Sequence, residues 1–231
     1  MPDPNSIHIQ VGNDLSGVVN LGSIQGDVSN QANPSTPSTE TSTPPAASQA
    51  SPVPPPQQPL RPGPWRVFLS HTSELRVYPP GGSYIGKAER AVSATGHAIV
   101  DMADFPSIDQ APANVCKQRV KECDVYVGIF GMRYGSPVRD NPDVSYTELE
   151  FNTAMESGLP RLIFVINTDS ADLQLPAKEL IDREFGERQD AFLQRVRESN
   201  LTIQRFGNPE ELKSLLERSL RALAETTLHA D

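Results

Sequence analysis

DVYVGIFGMRYGSPVRDNPDVSYTELEFNTAMESGLPRLIFVI, residues Asp124–Ile166, is the stretch whose reading settles the architecture. Two apolar runs of strand length, Val125–Phe130 and Leu162–Ile166, bracket a Gly/Arg/Pro-rich loop and one helix-length segment, Tyr146–Gly158. Neither run alternates with polar residues, the pattern of strands buried on both faces, and strand–loop–helix–strand order demands a parallel pair. Ligands of open parallel sheets sit beyond the carboxyl ends of the strands. That rule points to Gly131–Asp143 and the start of the helix that follows.

Working outward, Val67–Ser70 reads as a short buried strand, His97–Asp101 as a second and Leu201–Phe206 as a weaker fifth. Helices are expected over Tyr84–Thr95, Ala113–Glu122 and Pro176–Ser199, the last with Phe192, Leu193 and Val196 inward and Gly186 interrupting it. Pro106–Pro112 reads as loop. In the final helix Asn208 can cap, Pro209 suits the first helical position and Glu211 completes a capping box. Leu212, Leu215, Leu216, Leu220 and Leu223 form its apolar stripe. The sum is an α/β fold, a doubly wound, mainly parallel five-stranded sheet with helices on both faces.

Residues 65–231 carry that domain. Residues 31–64 read as a disordered linker: Asn30–Pro64 holds eleven prolines and only Glu40 and Arg61 as charges, too little apolar surface to offset ordering entropy. In residues 1–30, Ser6–Asn30 alternate β-formers with Gly, Asn and Ser, almost without charge, a profile suited to strands that stack between chains. The net charge of −9 argues against nucleic acid or anionic membrane as a partner. No apolar run approaches the ~20 residues of a membrane span, and the N-terminus lacks the regions of a signal peptide. Cys116 and Cys123 have neither zinc nor redox spacing and read as reduced core cysteines, so a cytoplasmic location is expected.

On a helical wheel Glu148, Asn152 and Glu156 share a polar stripe, whereas Glu150 falls among Tyr146, Leu149, Thr153 and Ala154. A carboxylate on a buried face is costly unless it is paired or faces a ligand, so Glu150 is the first candidate and Glu148 the second. Glu148 alternatively reads as a solvated or cap-proximal side chain, and Glu150 as the structural partner of an arginine such as Arg133. Arg133-Tyr134-Gly135-Ser136 directly follows the central strand; the Arg133 fork suits a carboxylate or phosphate. Ser70 and His71 end the first strand, and Tyr146 opens the helix; both sites border the same ligand region. Gly81, Gly86 and Lys87 satisfy the spacing of a phosphate loop, but Ala88 stands where a magnesium-binding hydroxyl belongs, so a turn into a helix is expected instead. No metal-ligand spacing appears.

Val67-Phe68-Leu69-Ser70, Phe105-Pro106, Cys123–Gly128, Arg133-Tyr134-Gly135-Ser136 and Ser145–Glu150 together resemble the TIR-like family known as domain of unknown function 4062, over about residues 66–165. That family is similar to TIR domains and, more distantly, to nucleoside deoxyribosyltransferases. The resemblance implies a TIR/flavodoxin-like fold, a glutamate that handles a ribosyl C–N bond, and NAD⁺ or a related nucleotide as substrate, with no bound cofactor. Its glutamate-plus-small-residue pattern falls on Glu150 and Ala154, while Glu148 belongs to the family's own signature. PPGGSY departs from the TIR pattern, which runs promptly from the first strand into a helix. Near the N-terminus, Ile9-Gln10-Val11-Gly12 and the recurrence of Gly17, Gly22, Ile24 and Gly26 resemble bacterial amyloid signalling motifs, themselves similar to the RIP homotypic interaction motif. The implied protein is a bacterial immune or cell-death effector. Residues 5–30 would build a homo-oligomer or fibril with an upstream NLR-like receptor sharing the motif, and the domain would cleave NAD⁺. A non-catalytic nucleotide-sensing or TIR–TIR interaction module and a deoxyribosyltransferase-like enzyme are the alternatives.

Overall fold

A computed structural model describes residues 60–101 and 113–228. The segment expected to act as an assembly motif, the linker up to residue 59, Phe105-Pro106 and the loop expected over Pro106–Pro112 lie outside the described residues. The chain runs β1 (Arg66–His71), α1 (Ser73–Val77), α2 (Tyr84–Ala94), β2 (Ala98–Asp101), α3 (Ala113–Lys121), β3 (Val125–Phe130), β4 (Pro137–Val138), β5 (Asn141–Ser145), α4 (Tyr146–Glu156), β6 (Arg161–Ile166), α5 (Gly186–Glu198), β7 (Ile203–Phe206) and α6 (Pro209–Leu228). Five strands form one sheet in the order β2-β1-β3-β6-β7, every neighbouring pair parallel. The α/β, doubly wound expectation therefore holds. The chain steps from β1 outward to β2 and then returns across β1 to β3. The crevice between the carboxyl ends of β1 and β3 is thus the topological switch point.

Alternation along each strand divides the core in two. Val67, Leu69, Val125, Val127, Ile129 and Phe164 pack with α1, α2 and α6 on one face. Phe68, Tyr126, Phe130, Ile163 and Val165 pack with α3, α4 and α5 on the other. Ser70 shares the parity of Phe68, so the polar end of β1 meets α4. The last helix forms as its sequence dictates: Asn208 Oδ1 accepts from Glu211 N–H at 2.9 Å and Glu211 Oε2 from Gly207 N–H at 2.7 Å. Leu212, Leu216 and Leu220 are buried. The GxxxxGK segment is a helix entry, with Ser83 Oγ accepting from Gly86 N–H at 3.1 Å and Lys87 paired to Glu210. None of the helices described is long and apolar enough to cross a membrane.

Two expectations need correction. Pro176–Ser199 is not one helix: Ala177–Glu179 forms a 3₁₀ turn, and α5 begins at Gly186. Asp182 Oδ1 accepts from the N–H groups of Glu184 and Phe185 at 3.1 and 3.0 Å, so a side-chain turn competes with the helix and Gly186 opens it instead of interrupting it. The stretch after β3, read as plain loop, contains the antiparallel β4–β5 ribbon, which delivers the chain directly into α4. Pro137, Pro142 and a mostly exposed β5 hide any strand alternation there.

Phe192 of α5 packs edge-on against Phe130 and Phe151, ring centroids 5.1 and 5.6 Å apart. Phe192→Ala is expected to cost about 3–5 kcal/mol of stability, read as a lowered midpoint in denaturant unfolding.

Candidate functional site

Ser145 caps α4, its Oγ accepting from Glu148 N–H at 3.2 Å, which aims the second turn of the helix at the sheet. Glu150 lies there, 5% exposed. Ser70 Oγ donates to Glu150 Oε2 at 2.5 Å and Cys116 Sγ to Oε1 at 3.6 Å. Among the described residues no Lys or Arg forms an ion pair with Glu150. Burial therefore pushes its carboxyl up to about 7, with the Ser70 hydrogen bond, the His71 charge and Cys116 opposing in part. Cys116 is no nucleophile: burial first, then the nearby Glu150 charge, push its thiol well up. The Tyr126 hydroxyl is buried in the same region, close to Ser70 and to the Glu150 charge. Beside this corner His71 Nε2 is 3.3 Å from Asp101 Oδ2, and Arg76 pairs with both Asp101 and Glu89. This is the end of β1 and β2, where Ser70 meets Glu150 and His71 lies beside them.

Glu148 departs from its solvated reading, being 6% exposed. Tyr134 Oη donates to its Oε2 at 2.6 Å, and Arg195 of α5 pairs with Oε1. The same hydroxyl accepts from Ser145 N–H at 3.2 Å. Burial, then the Glu148 hydrogen bond and charge, push the Tyr134 hydroxyl up to about 12. Gly135 takes φ +86°, and a Cβ there would meet Thr147 Oγ1 at 3.1 Å, so the turn between β3 and β4 needs glycine. Ser136 contributes its carbonyl to Tyr146 N–H at 3.0 Å. The Arg-Tyr-Gly-Ser and Ser-Tyr-Thr-Glu motifs are thus two halves of one lock that holds the loop, the ribbon, α4 and α5 together.

Arg133 does not partner Glu150. Its guanidinium pairs with Glu179 at 2.9 Å, beside a cleft of about 580 Å³ lined in part by Lys178, Asp182 and Arg183. Glu150 is not part of that cleft's lining. Sequence reasoning missed Glu74, Thr72 and Gln189, which hold the backbone of Gly131–Arg133. Thr72 Oγ1 accepts from Gly131 N–H at 2.9 Å, Glu74 Oε1 accepts from Met132 and Arg133 N–H at 3.0 and 3.2 Å, and Gln189 Nε2 donates to Gly131 O at 2.8 Å. Their one legible signal was position: Thr72 and Glu74 stand immediately after a buried strand. Among the described residues no group of three or more His, Cys, Asp or Glu side chains could hold a metal.

Tyr134→Phe removes the donor to a buried carboxylate and is expected to cost about 1–3 kcal/mol, measured by chemical denaturation. Glu150 makes a separate pH prediction. Its folded-state value lies above the unfolded one, so the folded state holds the extra proton between about 4.5 and about 7. Its contribution is complete below that window and is lost as pH rises through it, by about 3 kcal/mol. Glu150→Gln should therefore flatten the fall of melting temperature across the window and leave the variant the more stable protein above it.

No curated protein matches the chain. Solved structures similar to it include the RPS4 and RRS1 TIR domain heterodimer, at 13% identity and TM-score 0.41 over 70% of this chain and 97% of that one. The TIR domains of the activated Roq1 resistosome directly recognizing the pathogen effector XopQ align at 12% identity and TM-score 0.42, over 69% and 99%. The metal-soaked Flv1 flavodiiron core from Synechocystis sp. PCC6803 aligns at 14% identity and TM-score 0.38, over 73% of this chain and 37% of that one. The family model described as "Domain of unknown function (DUF4062)" matches residues 81–221. The match starts after β1 and runs into α6, farther toward the C-terminus than the motifs alone marked. This chain belongs to the DUF4062 family.

Proposed function

We propose that the domain cleaves the N-glycosidic bond of NAD⁺ or a related nucleotide, with Glu150 as the residue that meets the ribosyl centre. One observation carries this reading: a carboxyl buried at the carboxyl end of β1, held by Ser70 and with no Lys or Arg in an ion pair with it among the described residues, so that burial pushes its pKa up to about 7. A purely structural carboxylate in such a place is normally neutralised by a cation, as Glu148 is by Arg195. Ionised Glu150 would stabilise the positive charge that develops at the ribose as the C–N bond breaks and its electron pair leaves with the base. Water then adds to the ribose carbon and releases a proton. The family resemblance of Glu150 and Ala154 supplies the reaction class.

Glu150 is closed off in this state, so access requires movement of the side chains over it. In this reading residues 5–30 provide the trigger, by assembling copies of the chain into a homo-oligomer or fibril in the cytoplasm, seeded by an upstream receptor with the same motif. Tethering raises the local concentration of domains and favours the open form if neighbouring domains bind it. The closed Glu150 and the Arg133–Glu179 pair favour a second reading, a non-catalytic module that binds a nucleotide signal.

NAD⁺ loss should be followed with the assembled full chain and with Glu150→Ala. The expected result is turnover that rises with pH to a plateau above about 7 and falls about 100-fold or more in the variant. Equal turnover by both proteins removes Glu150 from the reaction. Calorimetric binding of NAD⁺ or ADP-ribose without product replaces the hydrolase with the binding module.

A further inference from the structure

At the switch point the backbone is held around a single oxygen atom. Thr72 Oγ1, Met132 N–H and Arg133 N–H all donate to Glu74 Oε1, at 2.9, 3.0 and 3.2 Å. Glu74 is 3% exposed, and its second oxygen, Oε2, is buried with no hydrogen-bond partner among the described residues. Gln189 Oε1, on the side chain that grips the Gly131 carbonyl, is also buried and without a partner among the described residues. A Cβ on Gly131 would lie 2.1 Å from Glu74 Oε1, so the close approach of carboxylate and backbone needs glycine there. No Lys or Arg among the described residues forms an ion pair with Glu74.

Three donors converging on one oxygen are a receptor for negative charge, built from two strand ends where open parallel sheets bind ligands. The carboxylate fills it poorly. One oxygen collects all three of these donors while the other has no hydrogen-bond partner among the described residues, although an unsatisfied buried oxygen is costly. A tetrahedral anion would set one oxygen in the same cradle and keep others for further partners. We propose that the corner formed by Thr72, Met132 and Arg133 is a phosphate-group site, occupied in this state by the Glu74 carboxylate, so that ligand and side chain compete for the same three donors. The choice of phosphate as the anion rests on the nucleotide reading above; the competition itself does not.

The test uses inorganic sulfate, a dianion through the neutral range, on the full chain. Binding is read from the backbone amide signals of Met132 and Arg133 in wild type, Glu74→Gln and Glu74→Ala. Replacing the anionic occupant by a neutral one, and then by none, should tighten sulfate binding in that order, by about tenfold at each step, the size of one hydrogen bond to a charged group. Equal sulfate affinity in all three proteins, or amide signals that stay put in the variants, overturns the proposal. If Glu74→Ala does not fold, the comparison of the isosteric Glu74→Gln with wild type decides alone. Because sulfate is not hydrolysed, a failure here is separable from a failure to consume NAD⁺.

Discussion

The parallel pairing of β1 with β3, in register from Val67↔Val125 to His71↔Ile129, is the constraint on which the rest of the structure depends. It sets the two most deeply buried strands side by side and places the reversal of strand order between them. Strand parity then turns Ser70 toward α4, and the strand ends bring Thr72 and Glu74 against Gly131–Arg133. A shift of one residue in this register would carry Ser70 to the opposite face and take from Glu150 the hydroxyl that donates to it.

Three glutamates are buried around that pairing, and the fold treats each differently. Glu148 has a tyrosine and an arginine, so its charge is compensated and it serves as a lock. Glu74 is held by neutral donors, three of them on one oxygen. Glu150 has a serine and a thiol, the weakest set of the three, and burial accordingly lifts it to about 7. The gradient from full to poor compensation is the physical basis for separating a structural glutamate from groups poised to change partner or protonation state.

The strands and most helices were legible because their signals are local. Unbroken apolar runs marked β1, β3 and β6, and the Asn208-Pro209 entry marked α6. The β4–β5 ribbon was not, because its stability comes from the Tyr134 and Ser145 contacts and not from any alternation of its own residues. The single helix expected across residues 176–199 failed for a related reason: the Asp182 side chain satisfies backbone donors that a helix would otherwise use, and its other oxygen accepts from Tyr134 N–H at 3.1 Å.

At the site, the wheel position of Glu150 was readable, since helical periodicity alone places it on the sheet-facing side. Its partner was not. Arg133 directly follows the central strand, yet it pairs with Glu179, far along the chain, while Ser70 and Cys116 reach Glu150 from other elements. The sequence by itself determined the parallel α/β architecture, the Asn208 cap and the inward placing of Glu150 on α4, because periodicity and turn chemistry act over a few residues. Only the tertiary structure decided which glutamate is neutralised by a cation and which is not. Charge compensation depends on side chains brought together across the sheet, and their spacing along the chain carries no trace of it.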